Sequence, residues 1–327
     1  TLKEDAGTLN NIRLLDPAVV SPTFRQLQQI RGFYAFPDTL DVDRYALDDG
    51  TRGAVIAVRE VDLDGVGERN WANDHAVYTH GYGVVAAYDN TSLSDGRPDF
   101  FASDIPTVGE LEIDQPRIYY GADSPDYSIV GAPEGAEPRE LDFPDDQSAS
   151  GQKNNTYDGS GGVPVGNIVN KLLFAVRMQD PNIVLSSLVN SESRIMFDRE
   201  PQTRVAKVAP WLTTDGDPYP VVVGGRVQWI IDGYTTTNAY PYSSRTTLNE
   251  ATTDAITATS SAVGTLPSAR INYLRNSVKA VVDAFDGTVT LYAWEPDDPL
   301  LQTWSRAFGN TVTPMSEASE ELVAHFR

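Results

Sequence analysis

The spacing of hydrophobic residues changes along the chain, and each spacing predicts a different kind of element. Phe24, Leu27 and Ile30 recur on one side of a helix, and Ser21 before them is a residue type that caps helix starts, so a helix is expected from Ser21 onward. Residues 54–61 are rich in β-branched side chains and follow a turn-forming stretch, which predicts a strand paired with the segment before the turn.

Two turn-forming dipeptides in the second half of the chain predict β-hairpins. Gly224-Gly225 and Asp286-Gly287 each lie between two apolar runs of strand length. Both dipeptides can adopt the positive φ that a two-residue hairpin turn requires. Each is therefore expected to connect two antiparallel strands directly.

Apolar residues recur at helical spacing in three segments before the hairpins. These segments are residues 165–178, 181–189 and 201–212, and each predicts a helix. Together with the strands they predict an α+β fold, in which mixed short antiparallel strands and hairpins pack with helices.

A change in composition predicts how the chain is divided. Glycine, serine and aspartate are frequent in residues 145–162, which is typical of a loop. We therefore expect an N-terminal α+β lobe in residues 1–150 and a C-terminal helical and hairpin lobe in residues 151–327. One continuous domain fits the same pattern.

Charge and cysteine content exclude several functions. The chain has 46 Asp and Glu against 25 Lys and Arg, a net charge of -21, and this charge repels both the phosphate backbone of nucleic acids and anionic lipid headgroups. It has no cysteine, which excludes disulfides, thiolate zinc sites and cysteine nucleophiles. We therefore expect no nucleic-acid partner. The hydropathy pattern adds that no apolar run reaches the length of a membrane-spanning helix.

Two of the three histidines are candidates for chemistry. His75 and His80 are five residues apart, which does not place them together on a helix or on one face of a strand, so a shared metal ion would require a bend between them. One interpretation is structural hydrogen bonding. The alternative is a hydrolase or lyase that uses His80 for acid–base catalysis, with Asp74 or Tyr78 to orient it. These four residues are the catalytic candidates.

Alternating aspartates suggest a metal site. Asp215 and Asp217 lie in a turn-forming stretch, where carboxylates can collect as oxygen ligands for calcium. The spacing of an EF-hand is missing, and a solvated turn is the simpler interpretation. The chain carries no phosphate-binding loop, which gives no reason to expect a nucleotide cofactor. Apart from the possible calcium ion, we expect no cofactor.

Several motifs resemble those of one protein family. The most distinctive is Tyr78-Thr79-His80-Gly81-Tyr82-Gly83 within residues 73–85, and later stretches include Asp217-Pro218-Tyr219-Pro220-Val221-Val222 and Asp286-Gly287-Thr288-Val289. On these motifs the chain resembles uncharacterised protein family 0182, large multi-pass membrane proteins common in actinobacteria.

The resemblance implies an architecture rather than an activity. It implies that the chain is an extracytoplasmic portion at the cell membrane, anchored through segments outside this chain. It transfers no catalytic residue. We therefore expect a non-catalytic role in binding, assembly or transport at the cell envelope, with an envelope protein, a glycan or a lipid as partner. An extracytoplasmic hydrolase or lyase using His80 is the alternative.

Overall fold

The computed structural model describes residues 12–48, 50–247 and 270–327, and these residues form a mixed α+β fold. The chain divides into two compact units. The first consists of residues up to Glu200 with two short later segments, Gly225–Val227 and Ala284–Gly287, and the remaining residues form the second.

The first unit contains short helices and mostly short strands, and its strands β5 to β13 follow one another without a helix between them. Its helices are α1 (Pro17–Gln28), a 3-10 helix (Leu63–Gly65), a π-helix (Asn73–Val77), α2 (Ile168–Met178) and α3 (Asn182–Leu185). Its strands are β1 (Tyr34–Ala35), β2 (Asp41–Leu47), β3 (Gly50–Val58), β4 (Glu60–Val61), β5 (Gly81–Tyr82), β6 (Val84–Ser92), β7 (Pro98–Ser103), β8 (Val108–Gly109), β9 (Arg117–Ile118), β10 (Tyr127–Val130), β11 (Glu140–Pro144), β12 (Gln152–Asn155), β13 (Val163–Pro164) and β14 (Arg194–Phe197).

Helix α1 packs on a five-stranded antiparallel sheet with the strand order β2-β3-β6-β7-β8. Phe24 of α1 is fully buried, and its ring lies 4.9 Å from the ring of Phe100 on β7 in an edge-to-face arrangement. Val55 and Val85 from the two inner strands belong to the same apolar core. The five residues at the end of β3 are all buried, as expected for a central strand covered on both faces.

Two smaller sheets join parts of the chain on both sides of residue 150. Strand β11 pairs with β12, and β10 pairs with β14, both antiparallel. The predicted lobe boundary after residue 150 therefore lies inside the first unit, because hydrogen-bonded strands connect the two sides of it. The two units divide instead between Glu200 and Pro201.

The second unit is built around a six-stranded sheet. Five of its strands lie in the order β15-β17-β20-β21-β22, and the sixth, β16, also pairs with β17. Its strands are β15 (Thr213–Thr214), β16 (Tyr219–Val223), β17 (Arg226–Thr237), β18 (Thr246–Thr247), β19 (Arg270–Ile271), β20 (Tyr273–Asp283), β21 (Val289–Ala293) and β22 (Val312–Pro314). Its helices are α4 (Pro201–Val208), α5 (Pro299–Ala307), a 3-10 helix (Met315–Glu317) and α6 (Glu320–Ala324). Buried Asp298 caps α5 and also accepts hydroxyl hydrogen bonds from Thr235, Ser277 and Tyr273.

The two predicted hairpins differ in their turns. Gly224 and Gly225 have φ of 55° and 69° and connect β16 directly to β17, which confirms the first prediction. Strands β20 and β21 pair antiparallel as predicted for the second hairpin. The predicted two-residue turn at Asp286-Gly287 is wrong, because five residues separate the two strands. Here the carbonyl of Ala284 accepts hydrogen bonds from the backbone of Tyr119 and Tyr120, which holds the connecting segment open.

The first helix begins earlier than predicted. Asp16 is its N-cap and accepts a hydrogen bond from the Ala18 backbone at 2.9 Å, with Pro17 at the first helical position. Ser21 lies inside the helix, and its hydroxyl donates to the Pro37 carbonyl at 2.6 Å. Because Asp16 and Pro17 together favour a helix start, they set the boundary in place of Ser21.

Candidate functional site

The predicted histidine motif lies where a π-helix is followed by a short strand. His75 belongs to the π-helix, and His80 immediately precedes β5. Single-turn π-helices are frequent at functional sites. The chain bends between the two histidines, and each has its own set of partners.

His80 is buried in a cluster of charged side chains and is only 2% exposed. Its Nε2 lies 3.4 Å from Asp142 Oδ1, its Nδ1 lies 3.0 Å from Thr79 Oγ1, and its ring lies 4.5 Å from the ring of Tyr119. Arg117 donates from Nε and Nη2 to the two oxygens of Asp142 at 2.7 and 2.9 Å. Burial raises the pKa of Asp142, but its hydrogen bonds with His80 and Arg117 outweigh burial and lower it.

Glu140 accepts four hydrogen bonds beside the histidine. Its Oε2 accepts from Tyr119 OH at 2.7 Å and from Thr79 Oγ1 at 3.1 Å. Its Oε1 accepts from the backbone N–H groups of Gly131 and Tyr157, both at 3.0 Å. A buried carboxylate with four donors is fully satisfied, so Glu140 holds together segments that are distant in sequence.

Arg199 completes the cluster, although it lies near the end of the first unit's main segment in sequence. It donates to the carbonyls of Tyr119 and Thr79, both at 2.6 Å, and to Ser128 Oγ at 2.8 Å. Burial lowers the pKa of Arg199 to about 10. We call His80, Arg117, Glu140, Asp142 and Arg199 the buried charge cluster.

Glu60 is a further buried acidic residue, and it interacts with Arg199. Its two oxygens accept from the backbone N–H groups of Ala122 and Asp123 at 3.1 and 2.9 Å. Burial raises the pKa of Glu60 to about 8. A Cβ at Gly121 would lie 2.1 Å from Glu60 Oε2, so this close approach of the carboxylate to the backbone requires glycine.

His75 belongs to an aromatic cluster rather than to the buried charge cluster. Its Nδ1 lies 3.0 Å from the Tyr127 carbonyl, and its ring stacks on the Tyr127 ring at 3.9 Å. Tyr127 OH and Trp71 Nε1 both donate to Asp180 Oδ2, at 2.5 and 2.8 Å. Burial raises the pKa of Tyr127, and its hydrogen bond to Asp180 adds to this effect.

The other two catalytic candidates contact groups outside the buried charge cluster. Asp74 accepts from Arg69 Nε at 2.7 Å, and the ring of Tyr78 lies 5.1 Å from the ring of Phe33. Burial raises the pKa of Tyr78. The groups that orient the His80 ring are Asp142 and Thr79.

The predicted calcium ligands lie in the second unit. Asp215 Oδ1 accepts from the Asp217 backbone at 3.1 Å, and Oδ2 accepts from Tyr234 OH at 2.8 Å. Among the residues that the structure describes, no three His, Asp or Glu side chains converge as a metal site would require. Calcium binding therefore stays a prediction.

A cleft of about 250 Å³ lies in the second unit, and none of the six predicted site residues lines it. It is open to solvent and is lined by Ala293, Pro296, Leu301, Gln302, Ser305, Arg306, Asn310, Val312 and Pro314. Arg306 is its one charged lining residue. The cleft contains neither a candidate acid–base pair nor a carboxylate, and we assign it no role.

Helix α2 exposes an aliphatic face. Phe174, Ala175 and Met178 pack against a buried apolar core that includes Val165 and Ile183. The opposite side carries residues that are between 53% and 79% exposed, which are Ile168, Val169, Leu172, Leu173 and Val176. We call these five the exposed aliphatic face. In the described ranges, no helix is long and apolar enough to cross a bilayer.

The sequence reading missed four members of the buried charge cluster. Glu140 and Asp142 alternate with apolar residues in a short strand, and this pattern could have indicated two carboxylates on one face. The strand pairing with β12 is irregular around Asp142, as is common beside functional sites. Arg117 and Arg199 carry no comparable local signal, since the fold alone brings them to His80.

Fold and site together define an acidic α+β domain of two units, with a closed charge cluster and an exposed aliphatic helix in the first. The model of the Uncharacterised protein family (UPF0182) matches residues 1–327, and the chain belongs to this family.

Curated relatives are about 50% identical to the chain over the region that they share with it. UPF0182 proteins of Bifidobacterium adolescentis and Kineococcus radiotolerans are each 52% identical over the whole chain, and one of Arthrobacter sp. is 51% identical. The matched region is 30%, 32% and 33% of these relatives. The chain thus spans about a third of their length. No solved structure matches it.

Proposed function

We propose that this chain is a non-catalytic, extracytoplasmic domain of an integral membrane protein, which binds another component of the cell envelope. The observation that carries the proposal is the exposed aliphatic face of α2. The largest contiguous apolar patch on a monomeric soluble protein covers about a few hundred Å² and is often a functional surface. The relatives are about three times longer than the chain, which fits a domain within a larger protein.

The buried charge cluster supports a structural role for His80. A catalytic acid or base must come within hydrogen-bond distance of the substrate proton, directly or through water. Both ring nitrogens of His80 already have partners in Asp142 and Thr79, and the side chain is buried. A substrate would have to displace these partners and open the cluster.

The alternative is an extracytoplasmic hydrolase or lyase that uses His80. It draws on one observation, the carboxylate of Asp142 beside the imidazole, which is an arrangement that orients catalytic histidines. The substitution His80→Gln separates the two functions. We expect it to lower thermal stability without abolishing any reaction of the full-length protein. Loss of a measured reaction with folding intact would favour the hydrolase or lyase.

Labelling of cells tests the location. The chain has no cysteine, so a cysteine introduced into it is the one thiol it offers. In a full-length protein from which any cysteine outside this chain has been removed, Ser94→Cys places this thiol in the exposed turn after β6, and Ala86→Cys places it in the sheet core as a control. A membrane-impermeant maleimide should label Ser94→Cys on intact cells and Ala86→Cys only after denaturation. Labelling of Ser94→Cys only after lysis would refute the extracytoplasmic location.

A further inference from the structure

We propose that the exposed aliphatic face of α2 docks on the surface of a lipid bilayer. This inference rests on the proposed binding role and names the partner. The five residues of the face occupy an arc of about 140° around the helix at 100° per residue. The opposite arc packs into the core of the unit through Phe174, Ala175 and Met178. The helix is therefore held by the protein on one side and presents aliphatic side chains on the other.

A neighbouring helix extends the apolar surface. Leu185 at the end of α3 is 77% exposed, while Ile183 of the same helix is buried in the core that α2 covers. The two short helices follow each other in the chain and pack against the same core. Both present aliphatic side chains outward, as helices that lie in a membrane interface do.

The chemistry of the face favours acyl chains over a protein partner. Energetic centres of protein interfaces are rich in Trp, Tyr and Arg, whereas Leu and Val are under-represented there. The exposed aliphatic face consists of Ile, Val and Leu alone. A lipid surface accepts such side chains without requiring a complementary shape.

The size of the face argues against a second copy of the chain. An eleven-residue helix is about 16 Å long, so one side of it offers a few hundred Å². A stable protein interface buries about 800 Å² on each partner. Pairing through α2 alone would therefore be too small for a stable dimer.

The segment that carries the exposed aliphatic face is less acidic than the rest of the chain. Residues 159–179 contain no Asp or Glu, although the whole chain has 46 of them in 327 residues. Within this stretch Lys171 and Arg177 are basic, but Lys171 Nζ donates to the Val189 carbonyl and Arg177 lies 3.6 Å from the Asp198 carboxylate, so neither adds free positive charge to the face. At physiological ionic strength charges more than about 8 Å apart are largely screened, so the local charge matters more at contact than the net charge of -21.

Vesicle sedimentation tests the docking surface. The purified 327-residue chain is mixed with vesicles of phosphatidylcholine, which carry no net charge, and the bound fraction is measured. The double substitution Leu173→Ser and Val176→Ser should lower the partition coefficient about tenfold or more, because two aliphatic side chains no longer enter the lipid.

A matched control removes the same two side-chain types elsewhere. Leu14 precedes α1 and is 71% exposed, and Val19 lies within α1 and is 75% exposed. Their double substitution by serine should leave the partition coefficient within about twofold of that of the unsubstituted chain. Circular dichroism and melting curves confirm that all three proteins are folded.

Three results would overturn the proposal. The first is absence of the unsubstituted, folded chain from the vesicle pellet, and the second is an equal loss of binding in the control variant. The third is a dimer in vesicle-free sedimentation velocity that Leu173→Ser with Val176→Ser converts to monomer, because the face would then bind a second copy. None of these results depends on where the protein lies in the cell, so the labelling experiment tests the extracytoplasmic location separately.

Discussion

Glu140 offers the most direct test of the buried charge cluster. Its carboxylate accepts from two hydroxyls on one oxygen and from two backbone N–H groups on the other. The substitution Glu140→Gln keeps the shape of the side chain and replaces one acceptor oxygen by an NH₂ donor. Since hydroxyls can rotate and backbone N–H groups cannot, we expect the amide oxygen to face the backbone and the NH₂ to face Tyr119 and Thr79.

The magnitude follows from the hydrogen bonds that are lost. A hydrogen bond to a charged group contributes about 1.5–3 kcal/mol, and the two hydroxyls lose their acceptor in a buried site. We therefore expect Glu140→Gln to lower the free energy of unfolding by about 3–5 kcal/mol. In a unit of this size this loss corresponds to a fall in melting temperature of about 10 °C.

Thermal unfolding followed by circular dichroism measures the effect, and Glu110→Gln is its control. Glu110 is exposed and accepts from Tyr88 OH at 2.8 Å, close to the 2.7 Å between Tyr119 OH and Glu140. We expect Glu110→Gln to change stability by less than about 1 kcal/mol, because water can replace the lost acceptor. Equal effects of the two substitutions would refute the reasoning, since burial would then not determine the cost.

Two further substitutions test buried groups of the first unit. Burial raises the pKa of Glu60 from 4.5 to about 8, so the folded state keeps a proton that the unfolded chain releases, and the stability this contributes is lost as the pH rises from 4.5 to 8. Melting curves should therefore show the unsubstituted chain losing up to roughly 5 kcal/mol relative to Glu60→Gln over this range, and parallel pH profiles would contradict this. Gly83→Ala should cost about 2–4 kcal/mol in urea unfolding, because φ is 79° and the new Cβ would lie 2.9 Å from Thr107 Oγ1 and 3.1 Å from Arg59 Nη1. Gly96→Ala at φ 83° has no atom within 4 Å and should cost about 1 kcal/mol, so equal costs would leave only backbone strain as the cause.

Local signals predicted the elements they specify directly. The first hairpin follows from Gly224-Gly225, because both residues can take positive φ without a Cβ penalty. The start of the first helix was misplaced because two capping signals compete, and Asp16 followed by Pro17 precedes Ser21 in the chain. The second hairpin turn was misplaced because hydrogen bonds to Ala284 come from a segment more than a hundred residues away.

The sidedness of α2 shows what periodicity leaves open. Almost every residue of this helix is apolar, so the sequence contains one apolar arc through Leu172 and Val176 and another through Phe174 and Met178. Helical spacing predicts the helix from either arc. Only the packing of the core selects the second arc for burial and leaves the first exposed.

The candidate site was harder to predict than the fold because its members are dispersed in sequence. His80 stood out as one of three histidines, but its partner Asp142 and the arginines of the same cluster, Arg117 and Arg199, are three among 71 charged residues. A single sequence does not indicate which carboxylate meets which imidazole. Their pairing depends on β5, β9 and β11 meeting in the folded unit, which is a property of the tertiary structure.

The buried charge cluster and the exposed aliphatic face should respond to substitution independently. None of the four groups that donate to Glu140 belongs to α2. Glu140→Gln should therefore lower the melting temperature and leave the vesicle affinity of the folded chain unchanged. Leu173→Ser with Val176→Ser should leave the melting temperature unchanged, because exposed side chains contribute little to folding. The same double substitution should lower the vesicle affinity, because apolar side chains contribute much to docking. If Glu140→Gln also weakened vesicle binding at a temperature where the chain is folded, the cluster would have to control the position of α2, and a purely structural role for it would be wrong.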